Sequence, residues 1–261
     1  MTSPILVTGG TGTLGRHVVP RLRQAGYDVR VLSRRDRPDQ DGIRFLRGDL
    51  ASGEGVESAV AGVGTIVHCA SSYRGDPEAA RNLVQAALRS ESPHLVYISI
   101  VGVDRIPLKG RIDRAMFGYY GSKLATERIV AGSGLPWTTL RATQFHDLIL
   151  LVARKLAAVP VVAVPAGFRF QPIEADEVAA RLVDLALGEP SGRVPDVGGP
   201  RVYPAADLVR SYLRARRRHR LVTSVRLPGR AAGAFRAGAN LAPDRAVGRR
   251  TWEEFLTERV G

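Results

Sequence analysis

The chain has 261 residues, 44% of them apolar and 24% charged, which suits one large domain or a domain with a small appendage. Its single cysteine, Cys69, excludes an internal disulfide framework and any multi-cysteine metal site, so no metal is expected. A net charge of +13 raises nucleic acid or an anionic membrane as partner, but 35 of the 38 basic residues are arginine, a skew that suits a coding bias better than tuning for phosphate.

The first half alternates strand and helix patterns. Ile5–Thr8 is a short buried-strand run closed by Gly9-Gly10, and Leu14–Ala25 reads as a helix that Pro20 should kink. Strands are expected at Val29–Leu32, Ile43–Leu46, Thr65–Cys69 and Leu95–Ile100, with a helix over Glu78–Arg89. The alternation continues with a helix at Tyr119–Ala131, a strand at Thr138–Arg141 and a helix at Asp147–Ala157. Then come a strand at 161–164, helices at Ala175–Leu187 and Ala205–Arg214, and a helix opened by a Thr251–Glu254 capping box. The expected class is α/β: a doubly wound, Rossmann-like parallel sheet with a small C-terminal α/β cap. Its core is placed at 1–155 and its cap at 156–261, with segments returning to the core. The longest apolar stretch, Leu156–Phe168, is 13 residues broken by Pro160 and Pro165, too short to span a bilayer, and the N-terminus lacks the pattern of a signal peptide. A cytoplasmic protein without a membrane partner is the expectation, its oligomeric state open between monomer and homodimer.

Thr8-Gly9-Gly10-Thr11-Gly12-Thr13-Leu14-Gly15 lies between the first strand and the first helix. Glycines there let the backbone turn tightly and approach a pyrophosphate, whose charge meets free N–H groups and the helix dipole. No Gly-Lys-Ser/Thr follows, which excludes a nucleoside-triphosphate P-loop. At the end of the second strand, where a carboxylate would hold the ribose hydroxyls of NAD, stands Ser33-Arg34-Arg35. Arginine suits a 2′-phosphate through bidentate, charge-assisted contacts, so NADP(H) is expected in preference to NAD(H).

With Gly48-Asp49-Leu50, Tyr97-Ile98-Ser99, Tyr119-Tyr120-Gly121-Ser122-Lys123, Gln171-Pro172-Ile173 and Asp176-Glu177-Val178-Ala179, the chain resembles the atypical, NmrA-like branch of the short-chain dehydrogenase/reductase superfamily over about residues 4–200. The resemblance implies that Gly9, Thr11, Gly12, Thr13, Leu14 and Gly15 cradle the cofactor and that Asp49 and Leu50 flank its adenine. It also implies that Cys69, Ala70, Ser71 and Ser99 line the cofactor. Read from the residues alone, Cys69 is a buried small hydrophobe and not a nucleophile. Tyr119 and Lys123 are the catalytic pair: four residues apart, they share a helix face, and an ammonium near a phenol favours the phenolate, so Tyr119 can pass a proton near neutral pH. Lys123 can also reach a ribose hydroxyl.

The departure is serine. Members with a full triad carry Ser or Thr where this chain has Val101, and Ser99 is set back by two residues, about 6.6 Å of strand. The proline that often packs on the nicotinamide is also missing from Leu140-Arg141-Ala142-Thr143. Val101, Gln144, Phe145, His146 and Phe168 are candidate pocket walls, although His146-Asp147 also reads as an ordinary helix start.

From Arg201 onward the chain holds 14 arginines against five acids, +9 of its +13, including the run Arg214-Ala215-Arg216-Arg217-Arg218-His219-Arg220. Without interleaved aromatics or a recognition-helix pattern, the run reads as a solvated helix exit, which argues against nucleic acid as partner. The function expected is hydride transfer between NADP(H) and a small carbonyl or conjugated substrate. Two alternatives are an NADP(H)-sensing regulator without turnover and, disfavoured by the short cap and the incomplete triad, a nucleotide-sugar epimerase.

Overall fold

The computed structural model describes residues 3–72 and 75–260; Met1 and Thr2, part of the N-terminus read for a leader, lie outside them. In chain order the elements are β1 (Ile5–Thr8), α1 (Gly15–Gln24), β2 (Val29–Ser33), β3 (Ile43–Arg47), α2 (Val56–Val60), β4 (Thr65–His68), α3 (Asp76–Leu88) and β5 (His94–Ile100). They continue with α4 (Arg111–Ala131), β6 (Trp137–Ala142), α5 (His146–Leu156), β7 (Val161–Pro165), β8 (Arg169–Phe170) and α6 (Ala175–Leu187). The last are β9 (Gly192–Arg193), β10 (Tyr203–Pro204), α7 (Ala205–Ala215), β11 (Leu221–Val225), α8 (Arg230–Arg236) and α9 (Trp252–Val260). None of the described helices is long and apolar enough to cross a membrane.

The chain divides into two compact units that take turns along the sequence. The first comprises Met1–Ser99, Gly121–Leu140 and Asp176–Val194, the second Ile100–Tyr120, Arg141–Ala175 and Pro195–Gly261. The sequence suggests a core over 1–155 and a cap over 156–261 with segments returning to the core; β9 and most of α6 belong to the first unit, and part of α4 to the second.

The first unit carries most of a seven-stranded sheet in the order β3-β2-β1-β4-β5-β6-β9 among the described residues. The order reverses direction between β1 and β4, as in a doubly wound fold. β1 pairs in parallel with β2 on one side and β4 on the other, and all four of its residues are buried. That two-sided burial is why Ile5–Thr8 shows a continuous apolar run instead of alternation. One core face packs Leu6, Ile66, Leu95 and Tyr97 against Leu83 and Ala87 of α3 and Val130 of α4. Pro20 lies within α1 on its exposed side, and the helix runs on to Gln24. The break falls instead in α4, at Phe117 (φ −125°, ψ 15°), so the expected helix Tyr119–Ala131 matches the segment beyond it.

The second unit is built from small pieces. β10 pairs antiparallel with β8, and β11 pairs in parallel with β7. Its aromatic core stacks Phe168 on Phe235 at 4.9 Å between ring centres, with Phe117 at 5.0 Å and Tyr120 edge-on at 5.4 Å from the same ring. A second stack sets His146 at 4.9 Å from Phe255 and 5.9 Å from Trp252. The capping box ahead of α9 forms as read: Thr251 N–H donates to Glu254 Oε2 at 2.8 Å, and Glu254 N–H to Thr251 Oγ1 at 3.3 Å.

Candidate functional site

The glycine loop joins β1 to α1 in the first unit. Gly9 has φ +68°, and a Cβ there would lie 2.6 Å from the backbone nitrogen of Ala70. A Cβ on Gly15 would lie 2.2 Å from the Gly9 carbonyl oxygen, so both positions require glycine for the loop to close. Thr11, Gly12 and Thr13 are exposed at the tip. The first turn of α1 has no acidic residue and no side-chain cap at Leu14, so no carboxylate there opposes an anion at the positive end of the helix dipole. These residues fit a dinucleotide pyrophosphate.

At the end of β2, Arg34 and Arg35 are exposed while Ser33 folds a local turn, its hydroxyl donating to the Arg35 carbonyl at 2.9 Å. The next carboxylate, the exposed Asp36, pairs with Arg47 at 3.3 Å. Asp49 accepts the Ala51 N–H at 2.9 Å and shapes its own loop, and Asn82 Nδ2 donates to the Leu50 carbonyl at 2.8 Å. Burial pushes the Cys69 thiol up to about 12, with Lys123 opposing the shift, which keeps sulfur out of nucleophilic chemistry.

Lys123, on α4, is 2% exposed in the midst of polar groups from β4, β5 and α3. Its ammonium lies 3.4 Å from Asp76 Oδ2, donates to the Ile98 carbonyl at 3.3 Å and sits 4.9 Å above the Tyr97 ring. Asp76, 3% exposed at the first position of α3, also accepts the Ser71 hydroxyl at 2.9 Å and the Ser72 N–H. His68 stacks on Tyr97 at 5.4 Å, and its Nδ1 hydrogen-bonds Thr8 Oγ1 at 2.7 Å. Burial, reinforced by the Lys123 charge and opposed by Asp76, lowers His68 to about 4, so the ring is neutral near pH 7. His68 Nε2 and Ser99 Oγ are buried without a hydrogen-bond partner among the described residues.

Sequence reading missed Asp76, His68 and Thr8 as parts of this cluster. Asp76 precedes Pro77 at a helix start, where an acid is ordinary, so nothing local marks it as the partner of a lysine 47 positions on.

Several residues read for the substrate side lie in the second unit. Tyr119 is half-buried on α4. Its neighbour Tyr120 is buried in the aromatic core; its hydroxyl accepts from Gln144 Nε2 at 3.3 Å, and burial raises it above the ordinary phenol range. Val101 is fully buried and its N–H donates to the Ala142 carbonyl at 2.9 Å, so its apolar side chain offers no hydrogen bond. His146 is 0% exposed between aromatic rings, Nε2 lies 3.1 Å from the Arg250 carbonyl, and burial lowers it to about 4. Among the candidate walls His146 is therefore a core residue, as its reading at a helix start allowed. Phe168 is likewise packed into the aromatic core at 4% exposure, and Phe145 caps the start of α5.

A family described as NAD(P)H-binding matches residues 9–186. A protein of Arabidopsis thaliana, High Chlorophyll Fluorescence Phenotype 244, chloroplastic, is 27% identical over 224 residues, 78% of this chain. The chain spans about half, 53%, of that plant protein's length. The (4-alkanoyl-5-oxo-2,5-dihydrofuran-3-yl)methyl phosphate reductase of Streptomyces griseus subsp. griseus is 30% identical over 210 residues, 78% of this chain and 70% of that protein. Among solved structures, the NADPH-dependent quinone oxidoreductase of Escherichia coli complexed with NADPH superimposes with a TM-score of 0.81 at 19% identity, covering 98% of this chain and 100% of that one. This last likeness is one of fold.

Proposed function

Since the chain belongs to the NAD(P)H-binding family, within the atypical short-chain dehydrogenases/reductases, we propose that it is an NADP(H)-dependent reductase of small conjugated carbonyl compounds. The observation that carries this reading is Lys123, a buried ammonium fixed by Asp76 and the Ile98 carbonyl four positions after Tyr119 on one helix. A lysine held this way has a defined position from which to hold a ribose hydroxyl and to stabilise negative charge on the Tyr119 oxygen. Tyr119 gives its phenolic proton to the oxyanion that develops on the substrate. The bound dinucleotide supplies the hydride. Arg34 and Arg35 take the 2′-phosphate, and Thr11–Leu14 take the pyrophosphate. The Streptomyces relative, whose name describes a reductase of an unsaturated, acylated lactone, supports a conjugated substrate.

One observation favours the second reading, a cofactor-binding sensor: the position of a polarising Ser or Thr is taken by the buried Val101. Fluorescence titration with NADPH and NADH, followed by a screen of quinones, enones and unsaturated lactones for NADPH consumption, separates the two. Turnover that falls about a hundredfold in Tyr119→Phe supports the reductase. Turnover indifferent to that change removes Tyr119 as donor, and tight NADPH binding without turnover on any acceptor supports the sensor. Arg34→Ala/Arg35→Ala is expected to weaken NADPH at least tenfold and leave NADH unchanged.

A further inference from the structure

The arginine run that the sequence reading left as a solvated helix exit forms a concavity within the second unit. A shallow, open depression is lined by Arg210, Arg214, Arg218, His219 and Arg220, all exposed, with Leu213 and Val222 among its apolar lining. No carboxylate lines it among the described residues.

The backbone builds this grouping. Arg210 and Arg214 stand four apart on α7, and the helix then closes with Arg217 in the left-handed region at φ +49°. The Arg218 N–H donates to the Leu213 carbonyl and the Arg217 N–H to the Arg214 carbonyl, both at 2.9 Å, the double closure that normally employs glycine. This reversal brings Arg218 and Arg220 beside the helical pair before β11 begins. The negative end of the helix dipole accounts for Arg214 but not for arginines beyond the turn. Arg210 is neutralised in part by Asp207 at 3.0 Å, while Arg214 contacts the Ser211 hydroxyl at 3.1 Å. Like charges gathered on one wall repel, and a bound dianion relieves that repulsion. The apolar lining would cover a few carbons beside the charge.

We propose that this depression binds a small phosphate monoester bearing a short aliphatic chain. None of its lining residues, from Pro160 and Leu221 at the start of β7 and β11 to the arginines of α7 and the turn after it, is assigned to the proposed reductase chemistry.

Hexyl phosphate, inorganic phosphate and hexanol, titrated calorimetrically into the full chain at 150 mM salt, provide the test. One site for hexyl phosphate is expected, with weaker binding of inorganic phosphate and none of hexanol. Arg214→Ala/Arg218→Ala should weaken it at least tenfold, with Arg214→Gln/Arg218→Gln as substitute if the alanine pair does not fold. Arg216→Ala/Arg217→Gly removes the same charge from residues that do not line the depression and should change affinity less than twofold. Absence of binding overturns the proposal, as does equal weakening by both pairs. Retention on phosphatidic-acid vesicles or duplex DNA that both pairs weaken equally assigns the charge to a lipid headgroup or nucleic-acid surface and overturns it too.

Discussion

Replacing Asp76 by asparagine tests whether Lys123 is held as the geometry requires. Asparagine keeps the shape: its one carbonyl oxygen can accept the Ser72 N–H, and its amide NH2, in place of Oδ2, can donate to the Ser71 hydroxyl, so the change removes the charge with one hydrogen bond reversed. Both members of the pair are at most 3% exposed, and the other named contacts of the ammonium, the Ile98 carbonyl and the Tyr97 ring, are neutral. Removing one partner of a buried pair leaves an uncompensated charge, which costs about 3–5 kcal/mol. With a urea slope of about 3 kcal/mol/M, the unfolding midpoint should fall by about 1 M or more. Lys123→Met in the Asp76→Asn background removes the stranded charge and should restore most of that loss, a coupling of about 2 kcal/mol or more in the cycle. Urea unfolding followed by circular dichroism on the four proteins measures it. A loss below about 1 kcal/mol for Asp76→Asn, or single effects that add within about 0.5 kcal/mol, would refute the buried pair.

Other consequences are as direct. His68 and His146 are both lowered to about 4, so the folded chain keeps them neutral while the unfolded chain binds protons below about 6.5. Their contribution is complete above pH 6.5 and declines as pH falls toward 4, by about 1.4 kcal/mol per pH unit for each. Urea unfolding at pH 7.5 and 5.0 should show that loss, with His146→Phe removing about half; equal stability at the two values would count against it. Arg217→Gly should raise stability by about 1 kcal/mol, read as a higher Tm, because glycine occupies the left-handed region freely. Gly15→Ala should weaken NADPH on the order of a hundredfold in a fluorescence titration, since its methyl would meet the Gly9 carbonyl at 2.2 Å; unaltered affinity would place the cofactor elsewhere. Tyr120→Phe should leave reductase turnover within about twofold, whereas Tyr119→Phe should not.

The sheet was legible because its signals are local. Continuous apolar runs such as Ile5–Thr8 announce strands buried on both faces, and the glycines after β1 announce the turn. The small pieces of the second unit were less so. β8 and β10 have two residues each, too short for any alternation to register; in the first unit the five-residue α2 escaped for the same reason. α8 was passed over because Arg230–Arg236 is alanine- and glycine-rich and resembles a loop. The Lys123 cluster draws on five elements, β1, β4, α3, β5 and α4, and only the fold reveals that Asp76 and His68 meet there. Val101 and Ser99 were legible as a departure from a pattern, but their burial was not.

The two adjacent tyrosines are told apart by helix geometry. Successive residues on a helix are separated by 100°, so side by side in sequence they face different surroundings. Tyr120 follows Phe117 by three positions, and both rings pack on Phe235. That placement buries its hydroxyl against Gln144, and the burial raises its pKa, which makes it a poor proton donor at neutral pH. Tyr119 precedes Lys123 by four positions and therefore shares the lysine's face of the helix. The break at Phe117 lies before this pair, so the spacing from Tyr119 to Lys123 stays regular while the preceding turn is free to seat its aromatic ring. Packing by Phe117 and Tyr120 on Phe235 thus commits Tyr120 to the aromatic core, and the proton donor proposed is its neighbour Tyr119.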